Sequence, residues 1–308
     1  EGTQLIKKFM GKSQIIEKLR EDVLDLGQAD GHVLIDGETG TGKTLAAHAL
    51  HAVSTRGAKK FVIFSCGAFD EEELVQRLLG PVPSGVSFVP AIEEARGGTL
   101  VLENIEILSD LMQSRLLSAL NTQGSPPETR IIAISNLQEA GQTLKDRIRH
   151  DLFYRLDAFK ITMPPLRQLG DDILHMFNKF CESFAEDYGC QPPSLSAQEA
   201  AQLLQAPWPG NVRQLINVAE RAVLQTRRGQ GTISSLLMTE GQDSEAVVTT
   251  EGKPLKEHVE AFEKMLIDNT MRRHKGSIAR VMDELCLPRR TLNEKMAKYH
   301  LQRSDYLS

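Results

Sequence analysis

The chain has 308 residues, 41% of them hydrophobic and 25% charged, with a net charge of −5, which excludes disorder throughout and describes an ordinary soluble chain long enough for two or three domains. No apolar run approaches the ~18 to 20 residues of a membrane span, and the opening EGTQLIKKFM lacks the apolar core of a secretory signal, so a cytoplasmic protein with no membrane partner is expected. The four cysteines, Cys66, Cys181, Cys190 and Cys286, have no C-x-x-C pairing and read as free thiols, while His48 and His51 share a helix face without an acid or cysteine to complete a metal site.

In chain order, the first informative stretch is HVLIDGETGTGKTLAAHALH, which joins an apolar strand, Val33 to Ile35, to a glycine-rich turn and then to an Ala/Leu-rich helix beginning near Lys43. Gly37, Gly42, Lys43 and Thr44 complete G-x-x-x-x-G-K-[ST] in strand-loop-helix context. Glycines let the backbone curl so that its N–H groups converge on phosphate oxygens, and the helix adds its positive dipole end. Lys43 then reaches the β- and γ-phosphates and the Thr44 hydroxyl ligates Mg²⁺. Further strands are read at FVIFSC (61–66), TLVLEN (99–104) and RIIAISN (130–136), with helical patterns such as SDLMQSRLLSAL between them. Alternation of this kind predicts a parallel α/β sheet covered on both faces, with ligands at the carboxyl ends of its strands.

GETGTGKT, GGTLVLENIE, IRHDLFYRLDAFKITMPPLRQLGDDI, WPGNVRQL and LPRRTLNEKMAKYHLQRSDYL occur in this order over nearly the whole chain from about Met10. In these segments the sequence resembles the AAA+ bacterial enhancer-binding proteins, activators of sigma-54 RNA polymerase, and looks closest to the C4-dicarboxylate-transport response regulators of two-component systems. In that family a phosphorylatable receiver domain often precedes the region seen here; none is read in this sequence. The resemblance implies an ATP site built from Gly37, Glu38, Thr39, Gly40, Thr41, Gly42, Lys43 and Thr44, with Asn136 as a sensor. It also implies Arg149 and Arg155 as arginines acting on a neighbouring subunit's nucleotide, and Arg213 as a sensor in a lid that swings with nucleotide. Arginine suits these roles because its planar, permanently charged fork can hold γ-phosphate oxygens. Trp208 and Pro209 are read as shaping the turn before a helix starting near Asn211.

Three departures from the family concern one function. The family's second nucleotide motif ends in Asp-Glu, where the Asp positions Mg²⁺ and the Glu polarises the attacking water; Glu103 and Asn104 stand there in this chain. Glu103 keeps a carboxylate for the metal, one methylene longer. Asn104 can accept a hydrogen bond from water but cannot take its proton at neutral pH, a loss worth ~10²- to 10⁴-fold in rate. Glu106, read on an extended strand end, points to the same side as Asn104 but ~6 to 7 Å away, too far to substitute. Ser65 replaces the Asn that usually latches the catalytic Glu. Finally, LLGPVPSGVSFVPAIEEARGG runs on where the family inserts its sigma-54-contacting G-A-F-T-G-A loop.

DDILHMFNKFCESFAEDYG, SAQEAAQLLQA and NVRQLINVAERAVLQTR carry apolar residues at i, i+3, i+4 spacing and predict packed amphipathic helices. TEGQDSEAVVTTEGKP reads as a linker. The charge is asymmetric: from Lys253 to Ser308 there are 12 Lys+Arg against 8 Asp+Glu, a net +4, and the remainder holds 24 against 33, a net −9. This basic tail is the candidate for polyanion contact. A long helix, a short one opened by Gly276-Ser277 and a third with Pro288 in its first turn predict a helix-turn-helix. Its last helix bears Arg289, Arg290, Thr291, Asn293, Lys295 and Lys298, the first of which face base edges while the lysines face phosphates.

The expected architecture is therefore α/β: a parallel-sheet AAA+ P-loop NTPase domain over 1–165 with a helical lid over 166–240, then a linker (241–254) and an all-α helix-turn-helix domain over 255–308. The expected protein is a dimeric or higher-order regulator that binds ATP, Mg²⁺ and double-stranded DNA, with weak or absent hydrolysis and without the usual sigma-54 contact. The alternative is a working ATPase that remodels sigma-54 RNA polymerase; a DNA-independent P-loop kinase or chaperone is disfavoured by the basic tail.

Overall fold

The computed structural model describes residues 7–81, 85, 87–124, 127–136, 143–229, 233–239 and 255–306, so the expected linker lies outside the described residues. Contacts divide the chain into two compact units, Glu1–Asp172 with Gly210–Gln214, and Ile173–Pro209 with Leu215–Ser308. Among the described residues no helix is long and apolar enough to cross a membrane.

The first unit opens with α1 (Gln14–Gln28), whose N-terminus is capped by the Ser13 hydroxyl accepting from the Ile16 amide. It continues through β1 (Val33–Asp36), α2 (Lys43–Ala52), β2 (Phe61–Ser65), α3 (Glu71–Leu78), α4 (Ala91–Glu94), β3 (Thr99–Glu103), α5 (Asp110–Asn121), β4 (Arg130–Ser135), α6 (Leu144–Arg147), α7 (His150–Leu156) and β5 (Phe159–Thr162). The five strands form one sheet in the order β2-β3-β4-β1-β5, with every pairing parallel. Because side chains alternate across a strand, Leu34, Leu100, Leu102, Ile131 and Ala133 all face one layer, where they join Leu78, Met112, Leu116 and Leu152 in a continuous core. On the opposite face α2 contacts β1 and β4, and α1 contacts α2 and β5. The strands read at 61–66, 99–104 and 130–136 each end one residue earlier, β1 runs one residue past Ile35, and the edge strand β5 and helix α1 add to the elements foreseen.

One local difference bears on chemistry. The chain does not remain extended after Glu103: Asn104 adopts a left-handed conformation, φ 57 and ψ 44, and Ile105–Ile107 forms a 3₁₀ turn. Asn is among the few non-glycine residues that enter this region readily, because its short amide bonds locally. The extended geometry that separated Glu106 from the site therefore does not hold.

At the amino ends of the strands, Arg130 is fully buried and donates to the carbonyls of Leu26 (2.6 Å), Gly31 (3.0 Å) and Gly27 (3.4 Å). Burial pushes its pKa down to about 10, so the guanidinium stays charged at neutral pH. Beside it Arg56 grips Asp30 through two bonds (2.6 and 2.9 Å) and donates to the carbonyls of Gly98, Pro127 and Glu128.

The second unit contains the greater part of α8 (Asp172–Tyr188) and of α10 (Asn211–Arg227), together with α9 (Ala197–Gln205) and α11 (Ile233–Thr239). Helix α9 starts with a capping box between Ser196 and Glu199. Trp208 is fully buried and donates its indole N–H to the Leu203 carbonyl at 2.7 Å. Helices α12 (Leu255–Arg273), α13 (Ile278–Leu285) and α14 (Arg289–Lys298) follow, and Ile267, Met271, Val281, Leu292, Met296, Tyr299 and Tyr306 form their shared core.

Replacing Arg130 by Met leaves three buried carbonyls without their donor. The expected result is a loss of about 3 kcal/mol or more of stability in the first unit, measured as a lower urea midpoint of its unfolding transition.

Candidate nucleotide and DNA sites

Residues 37–42 connect β1 to α2, whose first residues are Lys43 and Thr44, and the path requires glycine at two places. Gly40 has φ 79, and a Cβ there would stand 2.2 Å from the Gly210 carbonyl oxygen; Gly42 has φ 96 and is the N-cap of α2. Lys43 is 6% exposed, and its ammonium donates to the carbonyls of Gly37 (2.8 Å) and Glu38 (2.7 Å), which bends the loop around it. Thr41 donates to the same Glu38 carbonyl at 2.7 Å. This is a loop curled about a lysine at a helix N-terminus, the arrangement in which backbone amides receive phosphate oxygens.

Two neighbours brace that loop. The Glu38 carboxylate accepts both terminal nitrogens of Arg167 (2.8 and 2.6 Å) and the Asn211 amide (3.2 Å). The Arg167 guanidinium holds this carboxyl below the usual range against the opposing effect of burial, with Asn211 assisting. Asn211 also donates to the Thr39 carbonyl (3.0 Å) and accepts from the Leu166 amide (2.8 Å), and the Arg213 amide donates to the Gly40 carbonyl (3.2 Å). Arg213 thus stands at the loop through its backbone. Arg167 and Asn211 are site residues that sequence reasoning did not single out, because no spacing rule links position 38 to 167 or 211.

The Thr44 hydroxyl donates to Glu103 Oε1 at 2.8 Å, bringing the end of β3 to the start of α2 across β4. These are hard oxygen donors of the type Mg²⁺ takes, so the pair fits that ion, which would neutralise charge on the phosphates. Asn136, one residue beyond β4, donates its backbone N–H to Glu106 Oε1 at 3.4 Å. Cys66, just after β2, is buried, and burial, followed by the charges of Glu106 and Glu103, pushes its thiol up to about 12. Arg149 and Arg155 bond elsewhere. Arg149 reaches Ser114 (2.7 Å) and Asp151 (2.8 Å), and Arg155 donates to the Leu120 carbonyl (3.0 Å). The Arg155 charge, after burial, helps depress His32 to about 4 at the amino end of β1.

In the second unit Cys286 ends α13 in a left-handed conformation, φ 50 and ψ 41, and Pro288 is the N-cap of α14. Pro288 therefore precedes the first turn rather than lying in it. Leu292 and Met296 turn into the core, while Arg289, Arg290, Asn293 and Lys298 are exposed and Thr291 is half-buried. Two of the lysines already have acidic partners on α12: Lys298 bonds Glu260 at 2.9 Å, and Lys295 bonds Glu263, which also accepts from the Tyr299 hydroxyl. The Arg290 side chain is 90% exposed and pairs along its own helix with Glu294 at 2.9 Å.

A phosphate loop on a parallel sheet of this strand order, followed by a helical lid and a helix-turn-helix, defines an AAA+ P-loop protein joined to a DNA-binding module. Comparison with known proteins agrees: the Sigma-54 interaction domain family matches residues 9–162, the AAA+ ATPase lid domain family 167–250, and the bacterial regulatory protein, Fis family, 258–299. The chain is 36% identical to the C4-dicarboxylate transport transcriptional regulatory protein DctD of Pseudomonas aeruginosa over 98% of its length, and 30% identical to that of Rhizobium meliloti over 100%. It spans 66% of each. Transcriptional activator RocR of Bacillus subtilis is 30% identical over 96% of the chain and 69% of its own. Among solved structures, NtrX from Brucella abortus in complex with ATP superposes with a TM-score of 0.71 at 27% identity, covering 95% of this chain and 69% of the other. This chain belongs to the family of sigma-54-dependent transcriptional regulators.

The Glu263 carboxyl is held below its ordinary range first by the Lys295 bond and then by the Tyr299 hydroxyl. A carboxyl depressed by folding contributes stability above its unfolded pKa of about 4.3, and that contribution is lost as pH falls through the folded value. Helices α12–α14 are expected to lose thermal stability below about pH 4.3, and Glu263→Gln to remove that part of the acid dependence, as measured by circular dichroism melts across pH.

Proposed function

We propose that this chain is a sequence-specific DNA-binding transcription regulator whose first unit binds Mg-ATP at residues 37–44 and hydrolyses it slowly. ATP then serves mainly as an assembly or conformational signal. The observation that carries this reading is Asn104: the loop, Lys43, Thr44 and Glu103 keep the geometry of a phosphate site, yet the residue after Glu103 has no carboxylate. Binding and turnover make different demands. Amides, a lysine and a hydroxyl suffice to hold a triphosphate, whereas hydrolysis at useful rates needs a group that orients water and accepts its proton. The complex of NtrX with ATP supports the nucleotide assignment. The connection after α3, which begins with Gly80 and Pro81 in place of a G-A-F-T-G-A segment, supports an output that does not use the usual sigma-54 contact.

On the DNA side, the exposed start of α14 presents Arg289 and Arg290 to base edges in a major groove, and a dimer formed through α12 would match two half-sites. RNA polymerase is the partner that family membership points to, and Arg149 and Arg155 are the arginines proposed to reach a neighbouring subunit's nucleotide in a higher oligomer.

Steady-state phosphate release from the full chain and from Asn104→Glu tests the reading. The variant is expected to turn over well above tenfold faster, within the ~10²- to 10⁴-fold that a positioned base contributes; equal rates in the two proteins overturn slow hydrolysis. Arg290→Ala is expected to weaken cognate DNA binding by ~1 to 3 kcal/mol while leaving random-sequence binding nearly unchanged, as read by footprinting and fluorescence titration.

A further inference from the structure

We propose that the slow hydrolysis of this chain runs through Glu106, which supplies from two residues downstream the water-orienting carboxylate that position 104 lacks. The proposal rests on the reading that the first unit binds ATP.

The backbone brings Glu106 to the site. Had β3 continued extended, residue 106 would lie a further ~6 to 7 Å along the strand direction. Instead the left-handed Asn104 and the 3₁₀ turn Ile105–Ile107 fold the chain back at the strand end. The Glu106 side chain then reaches β4, where Oε1 accepts the Asn136 amide at 3.4 Å. That place is next to the phosphate loop: β4 lies between β3 and β1, and Ser135 is level with Asp36, so Asn136 and Gly37 are each one step beyond paired residues. The Thr44 to Glu103 bond crosses the same strand end.

The electrostatics leave this carboxylate free for such work. The Asn136 contact is long for a charge-assisted bond and holds Oε1 weakly. Glu106 Oε2 is buried and has no hydrogen-bond partner among the described residues, where native buried acceptors are nearly always satisfied. No Lys or Arg among the described residues pairs with Glu106. A buried carboxylate oxygen left without a partner, at the end of the strand beside the one that leads into the phosphate loop, has a lone pair that a water admitted with the nucleotide would satisfy. In the step it would assist, the water oxygen bonds to the γ-phosphorus as the bond to the β,γ-bridging oxygen breaks. One water proton passes to Glu106 and from there to the departing phosphate, so that ATP and water yield ADP and phosphate with the carboxylate restored.

The test measures phosphate release, ATP affinity and thermal midpoint for the full chain and its Glu106→Gln, Glu106→Asp, Asn104→Glu and double Asn104→Glu/Glu106→Gln forms. Glu106→Gln is expected to lower kcat by about tenfold or more with ATP affinity and thermal midpoint unchanged, and Glu106→Asp to retain more turnover than Gln. In the double variant the carboxylate at 104 is expected to restore turnover to at least the wild-type rate, which a merely structural role for Glu106 would not allow. Wild-type turnover in Glu106→Gln, no measurable turnover in the wild type, or failure of the double variant to recover overturns the proposal. Failure of the slow-hydrolysis reading is separate, since it appears as equal rates in wild type and Asn104→Glu whatever Glu106→Gln does.

Discussion

The Glu38 carboxylate is the constraint on which the proposed nucleotide site depends. It ties the phosphate loop to Arg167 and Asn211, partners 129 and 173 residues away in sequence. A glycine-rich loop has a high conformational entropy in the unfolded chain and little to hold it in one shape. Here the shape is set from outside by a bidentate guanidinium and a buried amide, and from inside by the Lys43 ammonium drawing two carbonyls toward it. The ion pair is partly exposed, Arg167 at 37% and Glu38 at 17% of their side-chain surfaces, so its value lies in fixed geometry more than in Coulomb energy.

How far the sequence reveals this site depends on whether a residue acts through local spacing. The loop, its lysine and its hydroxyl are legible because strand, turn and helix are contiguous, and the buried runs of β1, β3 and β4 are legible because both faces are covered. β5 buries only Ile161 of its four residues and leaves no such run, so an edge strand of this kind has a weak signature. Helix α1, with Ser13 ahead of buried Ile16, Leu19 and Val23, is legible in principle from its cap and period. Arg167 and Asn211 are not, since only the folded chain brings them to Glu38. Glu106 shows the opposite hazard: a period-two extrapolation along a strand fails at a single left-handed residue.

The helix-turn-helix reveals a division among residues that the sequence presents as one basic set. Lys295 and Lys298 are neutralised by Glu263 and Glu260 within the fold, so contact with phosphate requires exchanging one anion for another. Among the described residues no ion pair joins Arg289 or Arg290 to α12. Arg289 and Arg290 are more exposed than Lys295, and Arg290 pairs with Glu294 one turn along its own helix, so the proposed DNA contact at this end competes with a solvent-exposed ion pair.

Trp208 is the only tryptophan in the chain, and its indole is fully enclosed with the ring N–H on the Leu203 carbonyl. Excited where tyrosine does not absorb, the ultraviolet emission of this protein therefore originates from one enclosed ring. Nature has in effect labelled the second unit with a fluorophore, and its colour and quenching report on the surroundings of α9 without any added dye.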